Sequence, residues 1–471
     1  MSPRGRVLAA AVALALGPAT IAGAADVTPG PTPPAGVPPV LAPFDVSGGT
    51  GPTTAGLTAA LGDLLKPGPL GGSRGISVFD VATGTVILDQ NGATGITPAS
   101  TTKVLTAAAT LASLGPDAVL HTRVLRVGGT PTASPEPATS ATPVAPPVQI
   151  VLVGGGDPLL SSLPAGSDKL PDYPRRASLV DLANQTARAL TASGVTQVRL
   201  QYDAGLFPGP AASPNWERAY TGDVVGPVMS LSADQGRLGP LDGGRVNDPA
   251  LHTAQMFAAD LQQRGLKVLG APATGTAPAG SETVGDVSSP PISAELEHML
   301  IESDNDVAEA MARQVAITRG RPGTFTDGAA AVLGELTRLG IDVSGVRLHD
   351  GSGLSRDDRI PPSVIAHIFA LAAGSTHPEL RPLIAGLSIA GTNGTLGSRF
   401  TTNLARPARG VLRGKSGYLT GVVSLGGLVI DASGRLLAFD VAADAVKPGH
   451  GLAVKTTWDD VAGVLAKCGC T

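Results

Sequence analysis

Pro98-Ala99-Ser100-Thr101-Thr102-Lys103-Val104-Leu105-Thr106-Ala107-Ala108-Ala109 is the stretch on which the architecture turns. Pro98 stands just before it, and Gly115-Pro116 just after the Ala, Thr and Leu run that continues to Leu114, so start and stop signals frame a helix over Ser100–Leu114. A spacing of three on a helix puts the Ser100 hydroxyl and the Lys103 amine on one face, where they can meet. Serine alone is a weak nucleophile. A lysine, with an ordinary pKa of about 10.4, becomes a base only where burial or a second cation lowers it. The helix start adds the Ser100 N–H and the positive dipole end, both suited to a developing oxyanion. By itself the pattern also arises by chance, but it occurs once in this chain.

Two further motifs follow at a distance. Ser303-Asp304-Asn305 separates a helix over Ile292–Ile301 from one over Asp306–Thr318. It reads either as an N-cap for the second helix or as a loop presenting a hydroxyl and an amide to a cleft. Ser213-Pro214-Asn215, a rival match, carries a proline that makes it a turn. Lys415-Ser416-Gly417, the sole Lys-[Ser/Thr]-Gly, stands between apolar strand runs with Gly414 before it. It is an edge strand with a solvated lysine, or a strand approached closely by a ligand. Gly154-Gly155-Gly156 lacks the spacing of a phosphate cradle and reads as a turn at a strand end.

Helix start, interhelix loop and strand, in that order, are the contexts demanded by the signature of penicillin-recognising serine enzymes. The chain resembles the D-alanyl-D-alanine carboxypeptidase/endopeptidase family of penicillin-binding proteins, peptidase family S13. Further segments similar to that family are Gly155-Gly156-Asp157-Pro158, Asn247-Asp248-Pro249-Ala250, Asp350-Gly351-Ser352-Gly353-Leu354-Ser355-Arg356 and Gly391-Thr392-Asn393-Gly394-Thr395-Leu396. The resemblance implies an α+β, serine β-lactamase-like transpeptidase fold, an antiparallel sheet with helix clusters, carrying a large inserted domain between Ser100 and Ser303. It makes Ser100 the acylated nucleophile, Lys103 its base and Ser303 the relay to the departing amine. Asn305 would hold the substrate amide, and the charge of Lys415 would keep Lys103 neutral. Ser416, Gly417 and Tyr418 would bind substrate: Ser416 its carboxylate, the Tyr418 N–H its oxyanion beside that of Ser100. Ser416 stands where threonine is commoner, and Tyr418 is bulkier than the usual small residue. The implied partners are peptidoglycan stem peptides and β-lactam inhibitors, with no metal and no cofactor. A class A β-lactamase would need Glu-x-x-x-Asn between the second and third motifs, and Glu309, Glu335 and Glu379 lack that asparagine. A catalytically silent peptidoglycan-binding protein would keep the fold without the activity.

Around these motifs, the composition bounds the rest. The chain has 471 residues, 42% of them hydrophobic, enough for a large core. With 34 basic against 38 acidic residues there is no basic excess to neutralise nucleic acid. Arg4 and Arg6, the apolar run Val7–Leu16 and Ala22-Gly23-Ala24 read as an export signal over residues 1–24; an uncleaved anchor is the alternative. Export to an extracytoplasmic, cell-wall space follows, with peripheral membrane association left open. Residues 25–52 read as a Pro- and Gly-rich linker, 53–125 and 286–471 as two parts of a catalytic domain, and 126–285 as the insert, with a disordered loop at 130–147. Strands are expected at Ile76–Leu88 (a hairpin), Val124–Val127, Val148–Val153, Val195–Tyr202, Lys267–Leu269, Gly410–Leu412, Gly421–Ile430 and Leu436–Val441. Helices are expected at Leu179–Ser193, Pro249–Arg264 and Thr457–Lys467. Cys468 and Cys470 read as a frayed terminal pair.

Overall fold

The computed structural model describes residues 51–128, 147–239 and 243–470. The expected export signal, nearly all of the linker and the tract at 130–146 lie outside the described residues. The strands are β1 (Arg74–Asp80), β2 (Thr85–Gln90), β3 (His121–Val127), β4 (Val148–Val153), β5 (Gln197–Asp203), β6 (Lys267–Val268), β7 (Ala273–Thr274), β8 (Glu282–Ser288), β9 (Ser388–Ile389), β10 (Arg413–Leu419), β11 (Val422–Ile430) and β12 (Leu436–Ala443). The helices are α1 (Thr54–Leu61), α2 (Lys103–Leu114), α3 (Leu179–Ala192), α4 (Pro249–Gln263), α5 (Ile292–Glu302), α6 (Asn305–Thr318), α7 (Phe325–Arg338), α8 (Pro362–Ala373), α9 (Arg381–Ala385) and α10 (Gly451–Lys467).

Two six-stranded sheets result. The first runs β2-β1-β12-β11-β10-β9 and is antiparallel throughout. Successive strand side chains point to opposite faces, so both of its faces can be buried against helices. Leu437, Phe439 and Val441 of β12 pack with Leu57, Leu61 and Trp458 of α1 and α10 on one side. Phe79, Leu428 and Ala438 join a helix cluster of α2, α5, α6, α7 and α8 on the other. At the centre of that cluster, α2 is buried from Lys103 to Leu111 without a break. A helix enclosed on all sides must be mostly apolar, with each buried polar group matched, and small alanines and threonines let its neighbours close in. Thr106 and Thr110 cap their own hydroxyls on the carbonyls of Gly351 and Thr106.

The second sheet runs β6-β5-β4-β3-β8 with β7 on β5, and is mixed: β4, β6 and β7 lie parallel to β5, while β3 pairs antiparallel with β4 and β8. It holds a separate core in which Val124, Ile150 and Leu152 meet Leu182 of α3 and Phe257 of α4.

Several expectations shift in detail. Gly410–Leu412 is a turn, and the strand begins at Arg413, so Lys415-Ser416-Gly417 lies within β10 and not between strands. Ser100 precedes the α-helix, in a 3-10 turn over Ala99–Thr102. The closing helix begins at Gly451, and α7 and α8 are not among the expected helices, although Thr324 caps the first and Pro362 opens the second. The C-terminus is tied down, not frayed: Cys468 and Cys470 are paired, Cys468 is buried, and Cys470 O accepts from Thr53 N at 2.7 Å.

Candidate active site

The 3-10 turn carrying Ser100 is held from three directions. Ser424 of β11 donates to Pro98 O at 2.6 Å and touches Thr101 Oγ1 at 3.3 Å. A Cβ on Gly417 would lie 2.2 Å from Ser424 Oγ and 3.0 Å from Ser100 N, so only glycine lets β10 come this close to the turn. Gly353, at φ +84°, covers it from the third side, where a Cβ would lie 2.0 Å from Ala99 O. Ala99 itself is left-handed, with φ +52°. A buried non-glycine residue held in that region marks strain that the surroundings impose, and it sets the direction in which Ser100 leaves the chain.

Lys103 Nζ lies 2.9 Å from Ser100 Oγ, 2.7 Å from Asn305 Oδ1 and 2.9 Å from Ser352 O. Two of these partners can only accept, whereas the serine hydroxyl can donate. Deprotonated, the amine keeps two N–H bonds for Asn305 and Ser352 and turns its lone pair to the Ser100 proton. Burial lowers the Lys103 pKa from its ordinary value to about 8, against the opposing pull of Glu309 and Asp350. Burial also pushes Lys415 well below its ordinary value, and the charge of Lys103 adds to that effect. The cation expected to hold Lys103 neutral is thus itself depressed, and burial is the leading cause for both.

Ser303 caps α5 with φ +60°, and its Oγ accepts from Lys415 Nζ at 2.9 Å. Asp304 is the cap of α6, accepting from Val307 N at 3.1 Å, so the cap and cleft readings of this loop are both realised, by different residues. Asn305 presents Oδ1 to Lys103 and donates Nδ2 to Val224 O at 3.0 Å. Along β10, β9 pairs only with Arg413 and Gly414, which leaves Lys415–Leu419 as an edge beside the Ser100 turn. Ser416 Oγ bonds Thr395 Oγ1 at 2.9 Å, and the half-exposed Tyr418 ring lies 3.7 Å beneath Lys455 Nζ. Ser100, Ser303, Thr395, Arg399, Ser416 and Lys455 are among the residues lining a cavity of about 220 Å³.

A model of the D-Ala-D-Ala carboxypeptidase 3 (S13) family matches residues 57–240 and 242–466. The chain belongs to this family. Carboxypeptidase DacB of Mycolicibacterium smegmatis is 37% identical over 472 residues, covering 98% of this chain and 96% of that protein. A carboxypeptidase of Mycobacterium tuberculosis is 36% identical over 429 residues, covering 89% of this chain and 86% of that one. Among solved structures, penicillin binding protein 4 of Haemophilus influenzae shares the fold with a TM-score of 0.68 at 21% identity, covering 88% of this chain and 99% of its own.

In this S13 peptidase, of the residues singled out in the sequence, Ser100, Ser303, Ser416, Gly417 and Tyr418 line the cleft, while the buried Lys103 and Lys415 reach it through Ser100 and Ser303, and Asn305 bonds Lys103. Others were not singled out. Glu309 accepts from Gly351 N and Ser352 N at 3.0 and 2.9 Å, holding the carbonyl that Lys103 uses, while burial raises its pKa to about 8. Asp350 takes Gly353 N, Ser355 N and Trp216 Nε1. Thr395, Asp350 and Ser352 fall in segments already marked by their resemblance to the family; Arg399 and Lys455 stood in no motif.

Proposed function

We propose that this S13 peptidase is a serine D,D-peptidase that cuts D-Ala bonds in peptidoglycan stem peptides through an acyl-enzyme on Ser100. The observation that carries the reading is the buried, depressed Lys103 set against Ser100 Oγ with two acceptor-only partners. The substrate lies as an added strand along the open edge of β10, Lys415–Leu419. Ser100 Oγ attacks the D-Ala carbonyl as its proton passes to Lys103 Nζ, and the backbone N–H groups of Ser100 and Tyr418 take the oxyanion. Collapse breaks the C–N bond as Ser303 Oγ passes a proton to the departing amine, and the proton that Lys103 took from Ser100 returns by way of Lys415 to refill Ser303. Thr395, Ser416, Arg399 and Lys455 supply hydroxyls and positive charge for the carboxylate of a terminal D-Ala. Water then releases the acyl group and restores the Ser100 hydroxyl.

The same arrangement acylates on a β-lactam. Such a substrate calls for export, which agrees with the leading segment of the sequence. Among the described residues no helix is long and apolar enough to cross a membrane. The test is release of D-alanine from a D-Ala-D-Ala peptide. The wild-type protein releases it and Ser100→Ala does not; retained release by the alanine variant would refute the assignment.

A further inference from the structure

A second cavity, larger than the cleft, adjoins it. It holds about 430 Å³ between the α5–α6 loop and the loops around Val224 and Gln235, and Ser303 lines both it and the cleft. Its walls carry many charges, most of them already matched. Arg245 donates to both oxygens of Asp306, at 3.1 and 2.8 Å. Asp304 accepts from Gln235 Nε2 at 2.7 Å and from Val307 N, and lies 3.2 Å from His298 Nε2. Asp234 takes Ser161 Oγ and Ser162 N. Two guanidiniums are left over. Among the described residues Arg237 forms no ion pair and reaches only Gln235 Oε1, at 3.0 Å. Arg176 forms none either; it feels Asp157 through space, and its Nε is buried without an acceptor. The acids not matched inside, Asp223 and Glu302, are exposed. Burial disfavours the charged form of Arg237, and the like charge of Arg245 adds to that against the pull of Asp306 and Asp304, with a smaller share from Arg176. An anion seated here would relieve that repulsion.

We propose that this pocket is a subsite for a carboxylate on the peptide strand that departs when a cross-linked stem peptide is cut, with Arg176 and Arg237 as its anchors. The proposal rests on the reading that Ser303 faces the departing amine: a terminal D-alanine ends at Ser416 and Thr395, whereas a longer leaving strand continues past Ser303 into the pocket. Guanidinium–carboxylate pairing supplies the recognition. The backbone is built to hold this wall, since Asp234, Gln235 and Gly236 take φ of +51°, +56° and +69° in succession. Two adjacent non-glycine residues in that region are strained and persist only where the surroundings fix them.

The experiment compares the full-length wild-type protein with Arg176→Gln, Arg237→Gln and the double variant on three substrates. These are a short D-Ala-D-Ala peptide, a D-Ala-linked peptide dimer, and the same dimer with its leaving-strand carboxylates amidated. The double variant should lose about tenfold more kcat/KM on the dimer than on the short peptide, the size expected for lost hydrogen bonds to a charged group. Amidation should slow the wild type and leave the double variant nearly unaffected. Equal cleavage of the dimer by wild type and variants, with turnover of the short peptide intact, would overturn the pocket alone. So would an equal loss on both substrates. If the wild type turned over neither peptide, the Ser100 reading would fall and the pocket with it. Benzylpenicillin labelling at the wild-type rate shows that the variants are folded.

Discussion

The two sheets make opposite contributions to the cleft. The antiparallel sheet supplies functional side chains directly, because β10 runs past the Ser100 turn with one edge open. The mixed sheet gives none of the eight residues proposed for catalysis and substrate binding. Its loops instead bond the second motif from behind, through Gln235 to Asp304, Arg245 to Asp306 and Val224 O to Asn305 Nδ2. One region carries the chemistry and the other braces the loop that completes it. Asp304 is held from both regions: burial opposes its charge, but bonds from His298, Gln235 and Val307 N–H outweigh that and hold its pKa below the ordinary carboxylate range.

The sharpest way to break this contrast is at Lys103. Lys103→Ala should lower kcat/KM on a D-Ala-D-Ala peptide by roughly a thousandfold, within the range for a general base. In the wild type the working form is the neutral amine. Below about pH 8 the buried lysine is protonated, and kcat/KM should fall about tenfold per pH unit, levelling off above that value. A profile flat from pH 6 to 9, a range of about three units, would remove Lys103 as the base.

Phe257→Ala tests the other side. It empties part of the mixed-sheet core, where Phe257 is fully buried, and should cost about 3–5 kcal/mol of stability by denaturant unfolding. Penicillin acylation of the protein that remains folded should change little, since no side chain of that core enters the cleft. A large loss in acylation rate without loss of stability would show that the mixed sheet takes part in the chemistry.

Gln235→Ala lies between the two. It removes the 2.7 Å bond to Asp304 and should reduce kcat about tenfold through a loosened Ser303–Asn305 loop, with a smaller change in KM. Thr395→Val should have the smallest effect, about fivefold in KM for a D-Ala-terminated peptide, because Ser416 keeps its own hydroxyl.

Much of the antiparallel region was legible in the sequence because its motifs are short and their spacing is local. Ser100 and Lys103 meet by helical periodicity, and Gly417 announces a close approach that Ser100 N and Ser424 make concrete. Strand β10 was misjudged at its start because Gly410-Val411-Leu412 is apolar but turns, and the pairing of β10 with β11 is what fixes the true boundary. The bracing was not legible. Gln235, Arg245 and Glu309 act across long sequence separations, and nothing in local composition distinguishes them from solvated polar residues. The positions of Arg399 and Lys455 likewise depend on how α10 packs behind β11. Residues 54–61 carry too little pattern to announce a helix, and α1 forms because Leu57 and Leu61 find the buried face of α10.

The central claim is that Ser100 is acylated and that no nearby group hurries its release. Glu309, the carboxylate whose charge Lys103 feels most, is buried and spends its oxygens on Gly351 N and Ser352 N, which places it as a support for the loop and away from solvent water. The direct measurement is timed mass spectrometry of the benzylpenicillin-treated protein, with the adduct mapped after digestion. The account predicts one adduct on the peptide containing Ser100, absent from Ser100→Ala and persisting well beyond the time of acylation. An adduct on Ser303, or rapid turnover of a chromogenic cephalosporin, would contradict it.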